Sequence, residues 1–135
     1  MTEFIKIIEE YLSSEGFRPK IDDYGDFCFK FEGKTFYIEE EDKDELFLRI
    51  VYPCFWTIES PEERIAVQEA INTVNSNMKV AKLYIVKFKN GQEDVFATVE
   101  IFISELKENL SKVFPRCISA LDGAYKKFIK LMQND

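Results

Sequence analysis

Asn90-Gly91 stands between two β-rich runs, residues 83–88 and 95–103, and it limits the fold more than any other dipeptide in the chain. Asparagine followed by glycine tolerates positive φ at both central positions of a type I′ turn, so the two runs are expected to pair as an antiparallel hairpin. Just before them the sequence writes an amphipathic helix. Ser60 is placed to accept an early backbone N–H, Pro61 falls at the first helical position, and Glu63 is spaced to reach back to the Ser60 N–H. Val67, Ala70, Ile71, Val74 and Met78 then recur three or four apart as one apolar stripe, and Asn75-Ser76-Asn77 is expected to break the helix.

The rest of the chain extends this frame in both directions. Phe4, Ile5, Ile8, Tyr11 and Leu12 predict a first helix over residues 3–15, stopped by Gly16. Phe27, Phe29 and Phe31 alternate as a strand, Glu32-Gly33-Lys34 turns the chain, and Phe36 and Ile38 alternate as a second strand. Residues 46–56 read as a third strand that bends or ends near Pro53, which suits a sheet edge. Ser104 is expected to cap a C-terminal helical segment that Pro115 either kinks or divides. The predicted order is α-β-β-β-α-β-β-α: one α+β domain over residues 1–135, with three helices on an antiparallel five-stranded sheet. That size needs one core.

Composition narrows the chemistry. The chain has no histidine, which removes the commonest general base, the commonest zinc ligand and every Ser-His or Cys-His nucleophile pair. Cys28, Cys54 and Cys117 lack the paired spacing of a structural zinc site and read as small hydrophobes in a reducing compartment. The acidic run 39–45 lacks the ligand spacing and central glycine of a calcium loop, and no glycine-rich phosphate cradle is present. No catalytic, metal or cofactor site is therefore expected. A net charge of −7 argues against nucleic acid, and it outweighs a faint echo of an RNA-binding aromatic strand at residues 25–31, whose element order is also wrong. No run of about 18 apolar residues suggests a membrane span, and the first ten residues do not read as a secretion signal. A cytoplasmic protein is the expectation.

Thirteen Phe and six Tyr raise the question of where they all go. One apolar set, Phe27, Phe29, Phe31, Phe36, Ile38, Leu83, Ile85, Val95, Ala97, Val99 and Ile101, belongs under the helices. The opposite set also contains Tyr37, Phe47, Val51, Phe55, Tyr84, Val86, Phe88, Phe96 and Phe102, among Lys30, Arg49, Lys82, Thr98 and Glu100. Contiguous apolar area on such a face marks a binding surface unless the C-terminal segment crosses back to cover it. Tyr37, Tyr84, Phe88, Phe96 and Phe102 are the residues assigned to partner contact, by stacking and strand addition. Gly123, inside the last helix, makes room for a neighbour or for a dimer mate.

The element order, the small size and the acidic pI of 4.8 resemble the type III secretion chaperone-like superfamily, including the YbjN-like proteins. The resemblance runs from Phe27 to the C terminus: the hairpin, the third strand, the Ser60-Pro61-Glu62-Glu63 helix continuing through Ala70-Ile71-Asn72-Thr73-Val74-Asn75, the second hairpin and the last amphipathic helix. It implies a non-enzymatic, dimer-forming domain that offers apolar sheet and helix surfaces to extended polypeptides, with no catalytic residue to carry over. The leading expectation is a homodimeric module, chaperone-like or regulatory, that binds an unidentified protein. Its rivals are a small apolar-ligand pocket between sheet and C-terminal helix, and a structural subunit of a larger complex.

Overall fold

A computed structural model describes residues 2–40 and 44–134. The elements are α1 (Glu3–Ser14), β1 (Lys20–Ile21), β2 (Phe27–Phe31), β3 (Lys34–Glu39), β4 (Phe47–Thr57), α2 (Pro61–Asn77), β5 (Ala81–Lys87), β6 (Glu93–Phe102) and α3 (Leu106–Gln133). The strands form one antiparallel sheet in the order β1-β2-β3-β4-β6-β5. The sheet has six strands rather than the expected five. The additional one, β1, spans two residues paired with Phe27 and Cys28, too short to leave an alternating pattern in the sequence.

Local chemistry explains most of the boundaries. Thr2 caps α1 by accepting the Ile5 N–H, and Gly16, at φ +88°, ends it. The Phe17 N–H then reaches the Leu12 carbonyl and the Gly16 N–H the Ser13 carbonyl, closing a Schellman motif. At α2, Ser60 accepts the Glu63 N–H as expected, but the Glu63 carboxylate accepts from the Glu59 N–H, one residue earlier than the capping box places it. Asn75-Ser76-Asn77 forms the last turn of α2, which stops at Asn77. The Ser76 hydroxyl and the Asn77 amide fold back onto the carbonyls of Asn72 and Thr73, one turn earlier.

The type I′ turn expected at Asn90-Gly91 is found at the first hairpin instead. Phe31 pairs with Lys34 across Glu32-Gly33, and both turn residues have positive φ, +49° and +80°, the requirement of a type I′ turn. At the second hairpin only Gly91 has positive φ; the Gly91 N–H bonds the Phe88 carbonyl and the Phe88 N–H bonds the Gln92 carbonyl. Asn90 therefore sits in a three-residue loop whose last position is left-handed, and the strand pairing is the one expected.

Two prolines lie inside elements. Pro53 is in β4, which is central rather than at an edge, and the ladder to β6 jumps from Tyr52↔Ala97 to Trp56↔Val95. Residues 53–55 bulge out opposite Phe96 alone, so the proline forfeits no ladder bond. Cys54 turns through φ +53° there, and the change of phase carries Phe55 out of the second face, where strict alternation puts it, into the helix side. Of the two alternatives for Pro115, the single long helix is found: α3 runs unbroken for 28 residues with Pro115 on its exposed side, where water can reach the Ser111 carbonyl that the proline leaves without a donor. Ser104 does not cap that helix; Glu105, left-handed at φ +51°, begins it without a side-chain cap.

All three helices pack on one face of the sheet. That side holds every member of the first apolar set, with Leu48 and Ile50 of β4 and with Ile8, Leu12, Val67, Val74, Phe114, Leu121 and Phe128 from the helices. Rings make a connected chain through it: Tyr11–Phe114–Phe29–Phe36–Tyr52, then Tyr125 and Phe55, and on to Phe128 and Trp56, with centroids 5.2–5.8 Å apart. The space Gly123 leaves is filled by the methyl of Met78, the residue that follows α2.

Asp122 of α3 locks the first hairpin onto the helices. Its buried carboxylate lies 3.0 Å from Lys34 Nζ and 2.8 Å from Lys126 Nζ, and Lys126 reaches on to Glu32 in the turn. Burial works to raise this carboxyl, but the hydrogen bonds from Lys126 and Lys34 outweigh it and hold the group below the usual carboxylate range. A folded-state pKa below the unfolded value of about 3.9 means that the stabilisation is full above that value and is lost as pH falls through the lower folded value. Asp122→Asn is expected to lower stability at pH 7 by about 1–3 kcal/mol and to flatten the loss of stability below about pH 4, measured by urea titration at several pH values. Gly123→Ala is expected to raise stability by up to about 1 kcal/mol, since the Met78 methyl is a flexible end that can yield; a lower melting temperature would mean that it cannot.

Candidate functional site

The face without helices carries all five residues assigned to partner contact. Tyr37, Val51, Thr98 and Lys82 line up across β3, β4, β6 and β5, and Tyr84 pairs with Phe96 on the same face. Period two therefore puts Glu39, Phe47, Arg49, Glu100 and Phe102 there as well, with Phe88 just beyond the end of β5. The C-terminal helix does not cross back to cover it, because its packed residues all join the opposite face.

The five residues fall into three places. Tyr84, Phe96 and Phe88 form one cluster, with Phe96 5.7 Å from Tyr84 and 6.3 Å from Phe88 between ring centroids. Phe102 is 75% exposed and leans on Phe47 of β4 at 5.8 Å. Tyr37, on β3, stands apart from both, half-buried, and its phenol is pushed up by burial together with Cys28 and Asp22.

Arg49, which was not among the five, joins them. Its guanidinium donates to the Tyr84 hydroxyl at 2.9 Å and to Glu39 at 3.1 Å, and its Nε lies 3.6 Å from Glu100, which also holds Lys82. Burial raises the Tyr84 phenol against the opposing pull of Arg49. Aromatic rings around a fixed guanidinium are the side chains that dominate binding energy at protein interfaces. The signal was in the sequence: Glu39, Arg49, Tyr84 and Glu100 each alternate with the inner apolar residues of their own strand, and only the pairing of β3, β4, β6 and β5 brings them side by side.

Beside this face opens a groove of about 780 Å³. Tyr37, Val51, Pro53 and Phe96 give it apolar lining, so it is continuous with the Tyr84 cluster through Phe96. Asp22, Asp26, Glu39 and Glu40 also line it, and among the described residues no lysine or arginine does. Asp22 holds the adjoining loop by accepting the Tyr24 and Asp26 N–H groups at 3.0 and 2.9 Å. The space between sheet and α3 is filled by packed rings instead; a smaller hollow of about 460 Å³ opens near Tyr11, Phe31 and Phe114.

The thiols are held protonated. Burial raises Cys28 and pushes Cys117 up to about 11, and burial with the Asp94 carboxylate does the same to Cys54, also to about 11. None of them presents a thiolate at neutral pH. Among the described residues no three His, Cys, Asp or Glu side chains gather as metal ligands, and no helix is long and apolar enough to cross a membrane. Part of the acidic run, residues 41–43, lies outside the described residues.

No protein-family model matches the chain, and no curated protein matches its sequence. Solved structures do match. YbjN of E. coli, described as a candidate transcription regulator, superposes with a TM-score of 0.65 at 10% identity over 87% of this chain and 84% of its own. An uncharacterised protein of Methanothermobacter thermautotrophicus superposes with a TM-score of 0.54 at 18% identity over 96% and 94%. The chain thus has a YbjN-like fold, and at these identities the likeness extends to the fold alone.

Tyr84→Phe deletes the hydroxyl that Arg49 donates to while keeping the ring. It is expected to destabilise by about 0.5–1.5 kcal/mol in urea unfolding, and a neutral result would show that Glu39 and Glu100 satisfy Arg49 without it.

Proposed function

We propose that this chain is a non-enzymatic protein-binding module of the cytoplasm, chaperone-like or regulatory, that works as a homodimer and engages a partner polypeptide through its helix-free sheet face. One observation carries the reading: a face left bare by all three helices bears an Arg49-linked aromatic cluster and a phenylalanine, Phe102, that is 75% exposed. Rings left exposed on an uncovered sheet face are the material of interface anchors. The raised thiols and the missing histidine support a role in binding over one in catalysis. The YbjN-like fold, shared with a candidate regulator, is consistent with it.

A photo-crosslinking residue at position 88 or 102, expressed in the source cell, is expected to give discrete protein adducts. The same probe at Ile65 on α2, whose exposure lies between those of Phe88 and Phe102, should give none. Adducts from position 65 alone, or from no position, would refute the reading. Light scattering over a dilution series should return twice the 15.9 kDa of the chain, and Phe102→Ser should change folding stability by less than about 0.5 kcal/mol. A strict monomer would remove the homodimer from the proposal and leave the partner surface standing.

A further inference from the structure

We infer that the acidic groove selects an extended polypeptide segment carrying lysine or arginine between apolar residues; the inference rests on the protein-binding reading above and specifies its partner. Charge complementarity is the ground for it. Of the four carboxylates lining the groove, Glu39 is paired with Arg49 and Asp22 is spent on the backbone of its own loop. Asp26 and Glu40 are exposed, and no ion pair among the described residues engages either; Glu40 accepts only the Thr2 hydroxyl. Two carboxylates without an ion pair among the described residues line the groove with Tyr37 and Phe96, and they offer a cation a counter-charge beside aromatic rings.

An extended chain, rather than a compact cation, fits the continuity of the surface. Phe96 belongs to the groove and also to the Tyr84–Phe88 cluster, so an occupant lying along both must be long and narrow. A strand-like segment sends alternate side chains to opposite sides, which lets apolar residues meet the rings while basic ones meet Asp26 and Glu40. Pairing along the outer edge of β5 is a poorer route, because the Asn75 amide already occupies the outward N–H and carbonyl of Leu83, at 2.9 and 3.1 Å.

Fluorescence anisotropy of the full chain tests this with a fluorescein-labelled octapeptide containing three lysines among leucine, phenylalanine and serine, set against a counterpart with glutamate at the lysine positions. The lysine peptide should bind at least tenfold tighter, and more weakly as salt rises. The double variant Asp26→Asn, Glu40→Gln should bind it at least fivefold more weakly with an unchanged melting temperature. Because the chain carries a net charge of −7, the control is Glu10→Gln, Glu69→Gln, the same charge change on exposed positions of α1 and α2, which should shift affinity less than twofold. Equal weakening by both double variants, or no binding of either peptide, would overturn the inference. Equal binding of both peptides would overturn the acidic selection alone and leave the apolar face to its crosslinking test.

Discussion

A β-strand sends its side chains alternately to two faces, and this chain supplies helices for only one of them. Everything on the other face must be covered by its own neighbours in the sheet. Cys28, Val51 and Thr98 are buried there without a helix above them, shielded by the larger side chains around them. Arg49 ties three strands together by side-chain bonds where a helix would otherwise do so, reaching Glu39 on β3, Glu100 on β6 and Tyr84 on β5. This economy leaves rings at the margin, and Phe102 and Phe88 are what remains uncovered.

The bulge at Pro53–Cys54 divides the aromatic surplus between the two faces. Before it, β4 keeps strict alternation; after it, Phe55 and Trp56 both reach Phe128 of the last helix. A proline in a central strand forces such a departure, since it offers no donor to the ladder. The gain is a continuous ring contact between strand and helix. Pro53, at the start of the bulge, stays on the second face by alternation from Val51 and lines the groove beside it. A single irregular step in one strand thus shapes both the core and the surface proposed for binding.

The sheet edges bear on how a partner can attach. β5 is shielded at Leu83 by a side-chain amide that imitates a neighbouring strand, and β1 shields only the start of β2. The bare face instead presents rings, a guanidinium and carboxylates, groups that select by shape and charge. Strand addition at an edge would read mostly backbone.

The sequence by itself determined the elements whose causes are local. The Ser60-Pro61 start of α2, the Gly16 stop of α1, the pairing around Asn90-Gly91 and the membership of the inner apolar set all follow from a cap, a left-handed glycine or a period of two. Period two also put Tyr37, Tyr84, Phe96 and Phe102 on one face before any pairing was known. Tertiary structure decided the rest. Two-residue β1 exists only because β2 offers it a partner; Pro115 stays helical because its side of α3 faces water; Phe55 changes face because a bulge two residues earlier shifts the phase. Arg49 meets Tyr84 across 35 residues of chain, and Asp26 comes to share a groove with Phe96. Such contacts depend on which strands become neighbours, and that order is set by burying the inner face as a whole, a property no short stretch of sequence carries.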